Sequence, residues 1–279
     1  MSDAPSTSAS VGAAARPGGA RAFWLAAIGI VAAAAVGLAA WAQIGAHRAP
    51  EVAGFKVIAV YPHDPRAFTQ GLVIRNGRLY EGTGQYGAST LRRVDLATGN
   101  VEKSRSLTEE YFGEGIAVLG NKIYQLTWKN GAAFVYDLDT FNLEKTFQYK
   151  GEGWGLTDDG ERLIMSDGSA TIRFIDPQTF ATVREIAVHD GDKPVDRLNE
   201  LEFVNGEIWS NVWYDDRIAR ISPADGAVVG WIDLAALYPQ SARGSEAVLN
   251  GIAYDAAAKK LYVTGKNWPQ LYQIELVRK

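Results

Sequence analysis

Residues 111–128, with the sequence YFGEGIAVLGNKIYQLTW, form the stretch from which the organisation of the whole chain can be worked out. The carboxylate of Glu114 stands between two glycines at the start of an apolar run, and the indole of Trp128 follows fourteen residues later. A Gly-Asn pair separates two runs rich in aliphatic and aromatic residues, which is typical of two short strands joined by a tight turn. The same frame recurs along the chain.

Five copies of this frame can be aligned by their leading residue, the position that Glu114 occupies in the second copy. The leading residues are Gln70, Glu114, Trp154, Asn199 and Asn250, which are 44, 40, 45 and 51 residues apart. Each copy contains short strands separated by tight turns and polar loops. Repeats of about 40 to 50 residues with four strands each are typical of β-propeller blades. We therefore predict an all-β fold, a five-bladed β-propeller, because a β-sandwich would not explain the regular period.

The fifth copy ends after its third strand, at residues 274–276. One strand near the start of the repeat region, residues 55–60 with the sequence FKVIAV, has no place in the first copy. We expect this N-terminal strand to become the outer strand of the last blade, because an open sheet edge would leave backbone groups unpaired. The ring would then be closed by the N-terminal strand.

An apolar run precedes the repeats. Residues 22–44 carry no charge over 23 positions, and at 1.5 Å per residue a helix of this length spans a hydrocarbon core of about 30 Å. Arg16 and Arg21 before the run, and Trp24 and Trp41 near its ends, favour a single transmembrane anchor with a cytoplasmic N-terminus. The alternative is a cleaved signal peptide with an A-x-A site at residues 40–42. A buried Ala-rich core helix is the least favoured interpretation.

The predicted domain organisation follows from this run. We expect residues 1–21 to form a flexible cytoplasmic tail, residues 22–44 the transmembrane anchor or signal peptide, residues 45–54 a linker, and residues 55–279 the propeller domain. Both interpretations of the apolar run export the domain. It would lie at the periplasmic face of the inner membrane if anchored, and would be periplasmic or secreted if the run is cleaved. We expect a monomer.

Composition excludes several classes of function. The net charge is −4, so no basic surface points to nucleic acid. The chain has no cysteine, which excludes disulfides, thiolate metal sites and a cysteine nucleophile. His47, His63 and His189 are far apart in sequence, which argues against a His-rich zinc site and a Ser-His-Asp triad. We predict neither a catalytic metal nor a cofactor.

The leading residues should converge, because innermost strands of a propeller surround its central channel. They supply one carboxylate, three amides and an indole. The loops after the second strands add Trp128, Trp213, Lys266 and Trp268, so we expect a small aromatic pocket with one proton carrier. The loops at residues 189–198 and 235–249 should wall it. Alternatively, Glu114 bridges blades or holds a water molecule, and the tryptophans fill the core.

Seven motifs carry a resemblance to a known family: FTQGL (68–72), FGEGI (112–116), LTWK (126–129), GEGWGL (151–156), LNELE (198–202), NVW (211–213) and TGKNW (264–268). In this order and spacing, residues 56–276 resemble the plant-type glutaminyl-peptide cyclotransferases, also called glutamine cyclotransferases. The resemblance implies a metal-independent five-bladed propeller that converts the N-terminal glutamine of peptides or proteins to pyroglutamate with release of ammonia. It marks Glu114 as general acid and base. The implied substrate pocket comprises Phe68, Gln70, Phe112, Trp128, Trp154, Asn199, Trp213 and Lys266.

The residues are also compatible with two other functions. A non-enzymatic periplasmic propeller could use the same aromatic pocket as a binding or scaffold module. A propeller lactonase would usually need a Ca²⁺-centred acidic cluster at the channel, whereas the leading residues here include one acid, Glu114.

Overall fold

The computed structural model describes residues 50–278, and this part of the chain is built almost entirely of strands. The all-β prediction is therefore confirmed for the described residues. In chain order the strands are β1 (Glu51–Pro62), β2 (Thr69–Arg75), β3 (Arg78–Thr83), β4 (Thr90–Val94), β5 (Val101–Ser106), β6 (Gly113–Leu119), β7 (Lys122–Thr127), β8 (Ala132–Asp137), β9 (Leu143–Gln148), β10 (Leu156–Asp158), β11 (Leu163–Ser166), β12 (Thr171–Ile175), β13 (Thr182–Ala187), β14 (His189–Asp190), β15 (Lys193–Pro194), β16 (Leu198–Val204), β17 (Glu207–Val212), β18 (Arg217–Ile221), β19 (Val228–Asp233), β20 (Leu249–Asp255), β21 (Lys260–Gly265) and β22 (Gln270–Arg278), with one 3₁₀ helix (Gln240–Ala242).

Strands that follow one another in sequence pair with one another in space. Strands β2 to β5, β6 to β9 and β10 to β13 form three antiparallel four-stranded sheets. An eight-stranded sheet contains two further units, β16 to β19 and β20 to β22 with β1. The first strands of the five units contact each other in the cyclic order β2, β6, β10, β16, β20 and back to β2.

The predicted pairing of the N-terminal strand is present. Strand β1 runs antiparallel to β22 and completes the fifth unit. It begins at Glu51, four residues before the predicted domain boundary, because residues 51–53 pair in parallel with β19 of the fourth unit. The end of the predicted linker is therefore strand, and its backbone hydrogen bonds join the fourth and fifth units into one sheet.

The predicted membrane or signal segment at residues 22–44 lies outside the described residues. Among residues 50–278, no helix reaches the length and apolar character needed to cross a bilayer.

Burial falls from the first strand of a unit to the last. In β6 the residues from Gly113 to Val118 are all buried, whereas most side chains of the outer strand β9 are exposed. The core lies between successive sheets, so that Leu91 of β4 belongs to the same cluster as Ile116 of β6. Leu79 of β3 and Tyr262 of β21 share the cluster between the first and fifth units. Because both faces of the first strands are buried, their sequences are nearly continuous apolar runs.

Glycines after the leading residues let the first strands approach closely. A Cβ atom on Gly71 would lie 2.4 Å from the backbone nitrogen of Ile116, and one on Gly155 would lie 1.9 Å from the carbonyl oxygen of Asn199. The fourth unit carries Glu200 at this place instead of glycine.

Glu200 ties three first strands together, β2, β16 and β20. Its fully buried carboxylate accepts the backbone N–H of Leu72 in β2 at 3.2 Å and that of Ile252 in β20 at 2.9 Å. Burial and the neighbouring carboxylate of Glu202 raise the pKa of Glu200 well above its usual value. Glu200 is therefore a structural bridge. It occupies the position at which the other units carry a glycine and pack backbone against backbone.

Replacement of Glu200 by alanine should destabilise the fold by about 3 to 5 kcal/mol, because two buried N–H groups lose their acceptor and a cavity opens. Glu200→Gln keeps one acceptor oxygen and should cost less. Urea denaturation followed by tryptophan fluorescence measures both. Exposed Glu161→Ala is the control and should change stability by less than about 0.5 kcal/mol; an equally small effect of Glu200→Ala would show that the bridge contributes nothing.

Candidate active site

Four of the five leading residues lie at breaks in the strand ladders, and the fifth, Trp154, precedes β10. The pairing register of the first two strands shifts between Thr69 and Gly71 in β2 and between Gly113 and Ile116 in β6. Equivalent shifts occur at the leading residues of β16 and β20. A β-bulge redirects a side chain that would otherwise alternate with its neighbours. The bulges thus turn the leading side chains away from the regular faces of the sheets.

A cavity of about 240 Å³ lies among these residues. It is lined by Phe68, Gln70, Gln85, Phe112, Glu114, Trp128, Trp154, Asn199, Trp213, Glu246 and Lys266. All nine residues that were predicted as catalytic or substrate-binding thus line one cavity, and their individual roles stay a prediction. Its volume lies below the usual range of small-molecule sites, about 300 to 1,000 Å³, which suits a single side chain more than a long ligand.

Glu114 is buried, with 4% of its surface exposed, and one of its two carboxyl oxygens is hydrogen-bonded. The side-chain amide of Gln70 donates to its Oε1 at 3.1 Å. Its Oε2 is also buried, and no group within residues 50–278 hydrogen-bonds to it. Burial raises the pKa of Glu114 well above its usual value, against the opposing effect of the Lys266 ammonium and with support from the charge of Glu152. Desolvation thus outweighs the nearby cation.

The amide of Gln70 is itself oriented from behind by Asn250. Nδ2 of Asn250 donates to Oε1 of Gln70 at 3.2 Å and to the carbonyl of Thr69 at 2.9 Å. Because the oxygen of Gln70 is taken in this way, its nitrogen faces Glu114. Asn250 is fully buried and does not line the cavity, so the expectation that all five leading residues face one pocket is wrong for this residue.

Lys266 brings a cation into the cavity wall. The residue is 4% exposed, and its Nζ lies 4.7 Å from the centroid of the Phe68 ring. Burial lowers the pKa of Lys266 to about 8, although the carboxylates of Glu114 and Glu246 oppose this change. An ammonium over an aromatic face with few water contacts is poised to bind a developing negative charge.

Aromatic rings form the remaining walls. Phe112 meets Phe68 and Trp128 in edge contacts with centroid distances of 6.0 and 5.6 Å. Trp154 meets Trp213 in the same way at 5.5 Å. The rings exclude water from the carboxyl of Glu114, which is the physical basis of its raised pKa.

Trp268 does not belong to the pocket, contrary to expectation. It is 1% exposed, packs in the core between the fourth and fifth units, and donates its indole N–H to the carbonyl of Ala247 at 2.9 Å. The backbone N–H of Lys266 bonds to Val248, as that of Trp128 bonds to Phe112 in the second unit. Lys266 of the fifth copy is therefore equivalent in position to Trp128 of the second copy. Trp268, two residues later, is buried in the core.

The two long loops contribute unequally. In the loop at residues 235–249, Arg243 is anchored to Asp216 and to the carbonyl of Ala247, and Glu246 reaches the cavity. The loop at residues 189–198 supplies none of the lining residues in the described part of the chain. The prediction that these loops wall the cavity is thus right for residues 235–249 and wrong for residues 189–198.

Three residues of the site were missed in the sequence. Gln85 and Glu246 line the cavity from irregular segments that the repeat frame does not align. Glu152 stands behind two of the walls, where its Oε2 accepts the indole N–H groups of both Trp128 and Trp154. Glu152 could have been found, because it lies two residues before a leading residue, the position that Phe112 occupies in the second copy.

Gly168 keeps Trp154 in place. Its φ is +80°, and a Cβ atom there would lie 2.6 Å from the indole ring. Gly168→Ala should displace Trp154 and lower kcat/KM for the substrate about tenfold, mainly through KM, because misplaced walls weaken positioning. Steady-state kinetics measure this effect. Gly160→Ala is the control, since Gly160 also has a positive φ but has open space around it; equal kinetics for both variants would contradict the role of the close contact.

Among residues 50–278, no group of three or more His, Cys, Asp or Glu side chains is arranged to hold a metal ion.

Comparisons with known proteins agree on one family. The family model described as glutamine cyclotransferase matches residues 29–276. The chain is 46% identical over 236 residues to the glutaminyl-peptide cyclotransferase of Arabidopsis thaliana, covering 82% of this chain and 72% of that protein. It also matches the crystal structure of Myxococcus xanthus glutaminyl cyclase with a TM-score of 0.78 at 37% identity, covering 82% of this chain and 99% of that one. The family predicted from the seven motifs is confirmed, and the chain belongs to the glutamine cyclotransferase family.

Proposed function

We propose that this chain is a glutaminyl-peptide cyclotransferase, an aminoacyltransferase that converts N-terminal glutamine of peptides or proteins to pyroglutamate with release of ammonia. The observation that carries the proposal is the buried carboxyl of Glu114, with one oxygen held by Gln70 and the other unpartnered among the described residues, inside an aromatic cavity. Membership of the family supports the same reaction. It does not favour the alternative, a non-enzymatic binding module.

The cavity must first hold the substrate in a folded rotamer. The α-amine of the glutamine attacks the γ-carboxamide carbon of the same residue, and both ends of the reaction therefore belong to one side chain. Good positioning of this kind can lower the barrier by several kcal/mol. The amine has an ordinary pKa of about 7.7 to 8.0, so roughly a tenth of it is free base near neutrality. Deprotonation of the amine is therefore a small part of the barrier.

Attack forms a C–N bond and places a negative charge on the former carboxamide oxygen. We assign the stabilisation of this oxyanion to the ammonium of Lys266, which lies in the wall of the same cavity. Oδ1 of Asn199, which has no hydrogen-bond partner within residues 50–278, is an acceptor suited to an N–H of the substrate.

Collapse of the tetrahedral intermediate requires two proton transfers. Glu114 gives its proton to the departing NH₂ group, which leaves as ammonia, and takes one from the nitrogen that has become part of the ring. The carboxyl is thus restored at the end of each turnover. A carboxyl whose pKa is raised by burial keeps this proton at pH values where an ordinary glutamate would already have lost it.

Ammonia release from an N-terminal glutamine peptide by the purified full-length chain tests the proposal. Mass spectrometry should show loss of ammonia from that peptide, while the same peptide with an acetylated N-terminus should remain unchanged because its amine is blocked. We expect turnover to persist in EDTA, as predicted for a metal-independent enzyme. Absence of turnover with the free peptide, or its loss in EDTA with recovery on adding metal, would contradict the proposal.

We infer that the five four-stranded units are the blades of a five-bladed β-propeller. The cyclic contacts of β2, β6, β10, β16 and β20 support this arrangement, as do the core clusters between successive sheets. Pairing of β1 with β22 supports closure by the N-terminal strand.

We propose that residues 22–44 anchor the enzyme and that its catalytic domain acts as a monomer on the periplasmic side of the inner membrane. The uncharged apolar run and the two preceding arginines support this placement. Cell fractionation tests it, and recovery of a shortened chain in the soluble periplasmic fraction would favour cleavage instead.

A further inference from the structure

A single oxygen of Glu152 holds two walls of the cavity. Oε2 accepts the indole N–H of Trp128 at 2.8 Å and that of Trp154 at 2.9 Å. Trp128 follows β7 in the second unit and Trp154 precedes β10 in the third, so one carboxylate joins walls that come from two neighbouring sheets. Hydrogen bonds to a carboxylate oxygen are stronger than those to a neutral acceptor, and sharing that oxygen keeps the two indole N–H groups close together.

The repeat frame shows that this carboxylate is a departure from its neighbours. The position two residues before the leading residue is held by Phe68, Phe112, Glu152, Arg197 and Val248 in the five copies. In the first two copies the ring at this position lines the cavity itself. In the third copy the carboxylate instead stands behind the cavity and holds the indoles that line it.

Other carboxylate–indole pairs of the described chain differ from this one. Asp190 accepts the N–H of Trp231, and Glu207 accepts that of Trp209, in each case one acceptor for one indole. Neither tryptophan lines the cavity. Glu152 thus combines a shared acceptor with two indoles at the site, and its charge also acts on Glu114, whose pKa it helps to raise.

We propose that Glu152 is a positioning residue of the cyclisation, whose carboxylate sets the relative orientation of the Trp128 and Trp154 indoles that enclose the glutamine side chain of the substrate. The proposal rests on the proposed function, because the indoles affect catalysis through the glutamine that they hold. Each indole can rotate about two side-chain bonds. Without a shared acceptor the rings would relax independently, and the folded rotamer of the substrate would lose its fit.

Two substitutions separate this role from a general structural one. Glu152→Ala leaves both indole N–H groups without their acceptor and should raise KM, lowering kcat/KM about 10- to 100-fold. Glu152→Gln places a neutral amide oxygen where Oε2 lies, so it can accept both N–H groups and should restore KM close to wild type. Because the glutamine lacks the negative charge, the pKa of Glu114 should fall in this variant, and the decline of kcat at high pH should begin at lower pH.

A spectroscopic measurement makes the test independent of turnover. Near-UV circular dichroism of the full-length protein reports the fixed environment of the indoles, and it should change in Glu152→Ala and be restored in Glu152→Gln. Asp190→Ala is the matched control, since it also removes an indole acceptor, that of Trp231, but should leave KM unchanged. If wild type released no ammonia, the proposed function would fail, while the dichroism would still report on the indoles. An unchanged spectrum and KM in Glu152→Ala would overturn the positioning role, as would a Glu152→Gln variant as impaired as Glu152→Ala.

Discussion

Glu114→Gln is expected to lower kcat by about 10²- to 10⁴-fold, the usual contribution of a positioned general acid or base. The amide cannot give a proton to the leaving NH₂ group, although it has nearly the same shape. Its oxygen can still accept the hydrogen bond from Gln70, so the wall of the cavity should stay in place. Release of ammonia from a glutamine peptide measures the loss.

The fold should survive this change intact. Burial disfavours the charged form of Glu114, and a neutral amide avoids that cost, so the Tm should be equal to or above that of wild type. Glu202→Gln is a matched control, because Glu202 is also buried with its pKa raised to about 8 but does not line the cavity. The control should keep its kcat, and wild-type kcat in Glu114→Gln would remove the residue from the mechanism.

The pH dependence of kcat should reflect the same carboxyl. Glu114 donates only while protonated, and its pKa is raised, so kcat should hold at pH values where an ordinary glutamate is already ionised. It should then fall as pH passes the raised value.

Lys266→Met is expected to lower kcat about 10²- to 10³-fold, as loss of an oxyanion donor does in other enzymes. Methionine keeps much of the packing against Phe68 and removes the charge. The wild-type ammonium has a pKa lowered to about 8, so its contribution should be present below that pH and lost above it. The Lys266→Met variant should therefore lack this part of the pH profile.

Lys145→Met provides the control for this substitution. Lys145 also places its ammonium over a ring, 4.1 Å from the centroid of Phe147, but it lies on the exposed strand β9, outside the cavity. Its replacement should leave kcat unchanged. An equal kcat for Lys266→Met and wild type would assign the oxyanion to other donors.

Much of the architecture could be predicted from the sequence, because repeats and strand alternation are local properties. The period of the leading residues indicated four-stranded units, and the incomplete fifth copy indicated that β1 would pair beside β22. The turns are local in the same way: Asp95, Asp137 and Asp176 stand before equivalent turns, and each accepts the backbone N–H of a threonine three residues later.

The candidate site was predictable to a more limited degree. Repeat frame and motifs together pointed to Glu114 and eight lining residues. The repeat frame alone did not separate Lys266 from Trp268, because the direction of each side chain depends on where the loop packs, and only the family resemblance singled out Lys266. Frame and motifs also did not reveal that Asn250 orients Gln70 from behind.

By itself, the sequence determined the family, the strand repeat and the set of residues able to carry the chemistry, since each of these depends on residue type and spacing. Only the tertiary structure decided what Glu114 is able to do. Whether a carboxyl beside a lysine keeps its proton depends on how completely rings from several sheets exclude water. Burial raises the pKa of Glu114 by more than the charge of Lys266 lowers it, and the charge of Glu152 raises this pKa further. Desolvation is a property of the whole packed arrangement, and no spacing of residues along a chain expresses it.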